Sequence, residues 1–388
     1  MQGSKRIFLF ILLLAIILSL SACTRISSDN INDASEVFSK NNMPVSFLNK
    51  VSEAEAIVIG QYKGIKEHQD LLADLTIHQH KNSNIDIVVL GSRHAYSWIF
   101  NSYVKGELNS DLFVEEVTSD WVIFLSRIRE YNKDLSDNNK ISVKTGDINS
   151  QEDQFVSSLQ YMRQQLPERD TVNRLLNRII SAADRTEVLI EFKNILSNNS
   201  SNFSQSWGSD WNKILIEMIE VEIASTEIRE MWDLDYTEAH ILREDLIKEL
   251  AEKRLENNNN IIFNYSFYQA QKNHYLGTRK EWLAGYLNSE DSSIETSYSF
   301  LFIPMSGQIF DGEDGIMDID ISIEEDNGLF KRTVDLIGSD KQIYIDFHFD
   351  QFKNKKDDLN LYYQKIEAVP YNIFDGAILM PKASLINY

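Results

Sequence analysis

The sequence predicts an α/β fold, with a central, mostly parallel sheet flanked by helices and a large helical insertion. Two short apolar segments, 56–60 and 85–90, flank a stretch of helical periodicity at 65–81, which is the pattern of a strand–helix–strand unit. Parallel strands are apolar along their whole length because helices cover both faces of the sheet. A long run of helical patterns, at about 151–256, then interrupts the strands.

The first elements follow one another in a regular order. The strand 56–60 reads Ala-Ile-Val-Ile-Gly, and the helix after it carries apolar residues near helical spacing. The crossover to the next strand, 85–90, is expected to be right-handed. An amphipathic stretch at 121–135 precedes a third strand at 141–147. These elements predict the start of a doubly covered sheet.

The middle of the chain is helical in pattern, and strands return after it. Helices are predicted at 155–166, 172–183, 187–196, 211–231 and 238–255. Later strand-like segments lie at 261–267, 297–303, 343–349 and 373–380. Because strands stand on both sides of the helical run, we predict one α/β domain at 51–388 that contains the insertion.

The N-terminus has the features of an export signal. Lys5 and Arg6 precede an apolar run at 7–20, in which Ser19 is the one polar residue, and this run is shorter than the roughly 20 residues that a spanning helix needs. Small residues then lead to Cys23 in the quartet Leu-Ser-Ala-Cys, which resembles the bacterial lipobox. The resemblance implies a signal peptide at 1–22 and a Cys23 that carries diacylglycerol and a further acyl chain such as palmitate. Several acyl chains together make a stable membrane anchor.

Composition restricts the partners and the location of the chain. Cys23 is the only cysteine of 388 residues, which excludes disulfides and cysteine-built zinc sites. The polar stretch at 23–50 is predicted to be a tether that holds the domain outside the cytoplasm, on the extracytoplasmic face of a bacterial membrane. A formal charge of −21 argues against a nucleic-acid partner, because binding to phosphates needs clustered Lys and Arg. The expected contacts are the membrane, through the lipid, and an unidentified small-molecule or protein ligand.

The segment after the first strand resembles a known family. Gly60-Gln61-Tyr62-Lys63-Gly64 looks like the Gly-Glu-x-His-Gly opening of the erythromycin esterase/ChaN-like superfamily. That family includes ester hydrolases and haem-binding lipoproteins, and its α/β fold agrees with the periodicities above. Weaker similarities occur in the family's order at Asn101, Tyr103, Tyr131, Asn132, Thr145-Gly146-Asp147, Arg243-Glu244 and 374–379.

Four positions that the family uses for chemistry hold other residues here. The glutamate and histidine of the first motif fall on Gln61 and Lys63, and the glutamate that ends the second strand falls on Gly91. A later histidine falls on Gln269 or the neighbouring Tyr268. A glutamine cannot accept a proton from water, and a glycine has no side chain. The substitutions therefore indicate that the ancestral hydrolysis is lost and that the domain binds a ligand or partner.

Two alternatives to this pseudoenzyme hypothesis remain open. A hydrolase of esters or amides would need a rearranged site, for which Glu67, His68, His94 and Arg243 are the candidates. Haem or metal binding, as in the lipoprotein relatives, rests on the resemblance alone, with Tyr62 or Tyr268 as possible ligands. His78 and His80 do not share a helix face, and no metal site or cofactor is predicted.

Overall fold

The structure is a computed structural model of the chain. It describes residues 25–39, 42–83, 85–108, 121–166, 170–182, 185–207, 209–256, 260–273, 281–311, 315–321, 328–361 and 364–386. The predicted signal peptide and Cys23 lie outside these residues. Within the described ranges, no helix is both long and apolar enough to cross a bilayer.

The centre of the fold is an eight-stranded, mostly parallel sheet. Its strands are β1 (Ser35–Phe38), β2 (Ala56–Gln61), β3 (Ile87–Arg93), β4 (Ser142–Asp147), β5 (Ile261–Ser266), β6 (Ser297–Pro304), β9 (Gln342–Asp346) and β12 (Gly376–Met380). They lie in the order β1-β9-β12-β6-β2-β5-β3-β4. The six strands from β12 to β4 are parallel, and β9 is antiparallel to both of its neighbours. The predicted α/β class is confirmed.

Two hairpins extend the fold beyond the sheet. They are formed by β7 (Ser306–Asp311) with β8 (Gly315–Asp320) and by β10 (Asp357–Leu361) with β11 (Gln364–Ala368). The sequence predicts neither hairpin, because each of these strands places only one or two apolar side chains in the core, which is too short an alternation to stand out. The predicted strand at 373–380 begins only at Gly376, since Pro370–Ile373 forms a helical turn.

Helices cover both faces of the sheet. In the first half of the chain they are α1 (Ser28–Asp33), α2 (Val45–Ser52), α3 (Lys66–Ser83), α4 (Ser97–Lys105) and α5 (Val122–Asn132). The insertion consists of α6 (Glu152–Gln165), α7 (Asp170–Ser181), α8 (Arg185–Asn198), α9 (Ser200–Trp207), α10 (Ser209–Leu234) and α11 (Tyr236–Leu255). The last helices are α12 (Leu283–Leu287), α13 (Leu329–Ile337), α14 (Asp350–Asn354) and α15 (Pro370–Ile373).

Each strand contributes to two separate cores because its side chains alternate between the faces. Ile57 and Ile59 of β2 pack into one core with α3 to α8 and α10. Ala56 and Val58 pack into the other core with α1 and the C-terminal half of α11. All residues of β2 are buried, which explains the continuous apolar run that the sequence shows.

The stretch predicted as a polar tether is folded where the structure describes it. Ser27 caps α1, Ile31 of that helix is fully buried, and β1 pairs with β9 at the edge of the sheet. Phe47 and Val51 of α2 are also buried. The tether prediction is therefore wrong for residues 25–39 and 42–50. A single buried side chain in a six-residue helix leaves no periodicity for the sequence to reveal.

Candidate functional site

Polar residues gather where the parallel strands β2, β5, β3 and β4 end. Gln61 is in register with Ser266 at the ends of β2 and β5, and Arg93 is in register with Asp147 at the ends of β3 and β4. Carboxyl ends of parallel strands meet at one edge of the sheet, where α/β proteins bind ligands. We call this edge the crest, defined by Gln61, Arg93, Asp147 and Ser266 and the loops that follow them.

A buried ion pair joins the crest to the helical insertion. Arg243 of α11 donates from Nε to Oδ1 of Asp147 at 2.8 Å and from Nη2 to Oδ2 at 2.5 Å. Burial alone would raise the pKa of the Asp147 carboxyl, but the charges of Arg243 and Lys63 lower it below its usual value. Asp147 is therefore a carboxylate at neutral pH, and both of its oxygens are engaged by one guanidinium.

Tyr265 fills the space beside Gly91. A Cβ on Gly91 would lie 2.7 Å from Cδ1 of the Tyr265 ring, which is closer than real Cβ atoms approach. The Tyr265 hydroxyl donates to the Gly146 carbonyl at 2.8 Å, so the ring is fixed between β3 and β4. Because this space is occupied, no side chain fits at position 91 without movement of the tyrosine.

Gln269 and Glu244 form a second polar contact at the crest. Nε2 of Gln269 donates to Oε1 of Glu244 at 2.6 Å, and the Ser266 hydroxyl donates to Oε1 of Gln269. Glu244 is fully buried, and burial raises the pKa of its carboxyl to about 7 against the lowering effect of Arg243 and Gln269. Within the described part of the chain, its Oε2 has no hydrogen-bond partner. Such a carboxyl can exchange a proton near neutral pH.

A cleft of about 230 Å³ opens beside these residues. Its walls come from the first turns of α11 and from the segments that flank the strand β5 and the helix α12. They are formed by Tyr236, Thr237, His240, Arg243, Ser266, Tyr268, Gln269 and Trp282. A larger cavity of about 550 Å³ lies among the insertion helices, but none of the predicted site residues lines it. The cleft at the crest is therefore the candidate functional site.

The four substituted positions all lie at or next to the crest. Gln61 ends β2 and is buried, and Lys63 is exposed two residues later, with its charge acting on Asp147. Gly91 lies against Tyr265, as described above. Of the four, Gln269 lines the cleft.

The candidates for a rearranged catalytic site have separate partners. Oε2 of Glu67 accepts from the Ser384 amide at 2.8 Å, which ties down the C-terminal segment. Nδ1 of His68 donates to the Tyr62 carbonyl at 3.0 Å, and burial lowers the pKa of its imidazole to about 3. His94 contacts Glu217 of α10, with Nε2 and Oε1 2.7 Å apart. Of the four candidates, the structure brings Arg243 into the network with Asp147.

The remaining candidate ligands have structural contacts. Tyr62 packs on Phe267 with ring centroids 5.8 Å apart. His80 contacts the Tyr131 hydroxyl and the Asn139 carbonyl from within α3. Among the described residues, no three His, Cys, Asp or Glu side chains come together in a way that could hold a metal ion.

Sequence reasoning missed the roles of three residues. Asp147 and Glu244 belong to segments that resemble the family, but the sequence does not reveal that they meet Arg243 and Gln269. Tyr265 lies in an apolar strand, and nothing in the sequence marks it as the residue opposite Gly91. The sequence does offer one signal for Asp147: it ends a predicted parallel strand in Thr-Gly-Asp, and site residues usually lie at such strand ends.

The fold resembles that of several solved structures. An erythromycin esterase mutant in its open conformation superposes with a TM-score of 0.65 at 11% identity, over 88% of this chain and 94% of that one. A protein from Bacillus cereus matches with a TM-score of 0.69 at 14% identity, over 94% of this chain and 100% of the other. A succinoglycan biosynthesis protein matches with a TM-score of 0.67 at 12% identity, over 92% of this chain and 97% of the other.

These similarities define the fold as erythromycin esterase-like. At such low identity they concern the fold and not the activity. No protein-family model matches the sequence, and no curated protein sequence matches it.

Replacing Glu244 by Gln is expected to change how stability depends on pH. The pKa of Glu244 is raised from 4.5 to about 7 in the folded chain, so its contribution is fully present below pH 4.5 and is lost as the pH rises through about 7. Between pH 5 and pH 8, the free energy of unfolding should fall by about 2 to 3 kcal/mol more in the wild type than in Glu244→Gln. Urea denaturation at both pH values measures this difference.

Glu238→Gln is the matched control, because Glu238 is exposed on the same helix. It should follow the wild-type pH dependence. Equal pH dependence of the wild type and Glu244→Gln would contradict the raised pKa.

Proposed function

We propose that this chain is a bacterial lipoprotein whose esterase-like domain binds a ligand at the crest and no longer carries out the ancestral hydrolysis. The observation that carries the proposal is the Tyr265 ring against Gly91, 2.7 Å from where a Cβ would lie. The family's second-strand glutamate would need this space. Because the Tyr265 ring occupies this place, a single substitution of Gly91 by glutamate would not restore the ancestral carboxylate.

The other substituted positions support the same proposal. Gln61 is neutral and cannot take a proton from water. Lys63 places a positive charge next to Asp147, where it stabilises a carboxylate and does not act as an imidazole base would. Gln269 donates its amide hydrogen to Glu244, a contact that fixes both side chains. Together these residues form a hydrogen-bonded crest that suits binding.

The proposed location rests on the N-terminal sequence. Charged residues, an apolar run and a small-residue quartet that ends in Cys23 are the features of a lipidated export signal. The chain after Cys23 is folded from residue 25, so the domain would lie close to the membrane surface. The formal charge of the full chain is −21, and this negative charge would oppose adsorption to anionic lipid headgroups.

A second candidate function is hydrolysis of an ester or amide with Glu244 as the acid/base group. The specific observation in its favour is that the pKa of this carboxyl, buried behind the cleft-lining Gln269, is raised to about 7, next to a cleft lined by Arg243 and Ser266. One fold neighbour is an erythromycin esterase. In this scheme Gln269, which separates Glu244 from the cleft, would move aside, Glu244 would take a proton from the attacking water, and Arg243 would orient Asp147.

We expect purified residues 24–388 to hydrolyse aryl esters and macrocyclic lactones no faster than the Glu244→Gln variant does. The reason is that Gln61, Lys63 and Gly91 stand at positions where the family has the groups that activate water. Product release is followed by absorbance and by mass spectrometry. If the wild type is active and Glu244→Gln lowers the rate about 100-fold or more, while Glu238→Gln keeps it, the second candidate function replaces the first.

Lipidation of Cys23 is expected to hold the full-length chain in the membrane fraction. A Cys23→Ala variant, expressed in bacteria fed with a radiolabelled or alkyne-bearing fatty acid, should lose the label and should not be processed as a lipoprotein. Cys23→Ala that keeps both the label and membrane attachment would contradict the anchor. A Ser21→Ala variant, which leaves a small residue before the cysteine, is the control and should retain the label.

A further inference from the structure

The cleft at the crest is unusually rich in aromatic rings for its size. Tyr268 and Trp282 pack with ring centroids 5.4 Å apart and planes tilted by 39°. Tyr236 and His240 of α11 pack at 4.5 Å, nearly edge to face. These four rings come from three segments that line one cleft of about 230 Å³. A cleft of this volume has room for a ligand the size of a six-membered ring.

The apolar surface continues outside the cleft. Tyr236 is 64% exposed and Leu234, at the end of the preceding helix, is 81% exposed. Leu234 ends the preceding helix, and Tyr236 is the first residue of α11, directly after the N-cap Asp235, where it also lines the cleft. An exposed aromatic residue and an exposed leucine beside a cleft are typical of a surface that contacts a ligand longer than the cleft itself.

The polar groups of the cleft are neutral or already paired. Thr237, Ser266 and Gln269 carry uncharged hydroxyl and amide groups. Burial and the nearby Arg243 lower the pKa of His240, which keeps its imidazole neutral at physiological pH. The charge of Arg243 is balanced by Asp147. A charged ligand would therefore find no uncompensated partner in this lining.

We propose that the cleft binds a neutral sugar ring, as one unit of an oligosaccharide. The C–H faces of such a ring pack on aromatic side chains, and its hydroxyls both donate and accept hydrogen bonds, as hydroxyl, amide and neutral imidazole groups require. A flat, wholly apolar ligand would bury these polar groups without partners, at about 1 to 3 kcal/mol for each. The chain's charge of −21 disfavours acidic polysaccharides. This inference rests on the proposed binding function.

The test is binding of neutral hexasaccharides to residues 24–388, measured by calorimetry. The probes are maltohexaose, cellohexaose and the corresponding mannose and galactose oligomers, with oligogalacturonate as the anionic comparison. We expect at least one neutral probe to bind and oligogalacturonate to bind more weakly. Tyr236→Ala should weaken binding about fivefold or more, because it removes a ring that supports the sugar face. Tyr236→Phe should stay within about twofold of the wild type, since the ring remains.

The control is Phe349→Ala, which removes an aromatic residue that is 41% exposed elsewhere on the surface. It should leave binding unchanged. If no neutral oligosaccharide binds at millimolar concentration, or if Tyr236→Ala binds as tightly as the wild type, the sugar assignment is wrong. Mass spectrometry of the probe after incubation shows whether the probe has been cleaved, and this separates a wrong sugar assignment from a failure of the proposed function. An intact probe agrees with binding alone, and a cleaved probe keeps the sugar assignment but contradicts the loss of catalysis.

Discussion

The buried ion pair between Asp147 and Arg243 is the interaction on which the crest depends. It joins the end of a parallel strand to the helix that carries Glu244 and one wall of the cleft. Two charges removed from water are stable only when their geometry is good and their hydrogen bonds are complete, and this pair is bidentate. Loss of Arg243 would leave Asp147 as an unpaired buried charge, at a cost of about 3 to 5 kcal/mol. The pair therefore holds the insertion in place against the sheet.

Tyr265 links the register of the sheet to the proposed loss of hydrolysis. Its strand lies between β2 and β3, so its ring reaches Gly91 on one neighbour, and its hydroxyl contacts Gly146 of β4. Small residues at 91 and 146 make room for the ring, and the ring in turn excludes a side chain at 91. A catalytic carboxylate and this tyrosine cannot both occupy the same space. In the proposed function, the crest is a packed support for a binding cleft.

The sequence predicts the long elements well because burial on both faces of β2 and the helical spacing in α3 leave strong patterns. It fails at α1 and β1, where Ile31 is the one fully buried residue of a six-residue helix. The substitutions at Gln61, Lys63 and Gly91 are visible in the sequence through the family resemblance. Their partners are not, because Asp147 and Arg243 are 96 residues apart and Tyr265 meets Gly91 only through strand pairing.

The central claim is that Tyr265 occupies the place of the lost side chain, and a double-mutant cycle on unfolding tests it most directly. Gly91→Ala should lower the free energy of unfolding by about 1 to 3 kcal/mol in the wild type, because the new methyl group meets the ring. In the Tyr265→Ala background the same substitution should cost less than about 0.5 kcal/mol. An alanine at position 91 that is neutral or stabilising in the wild type would contradict the account.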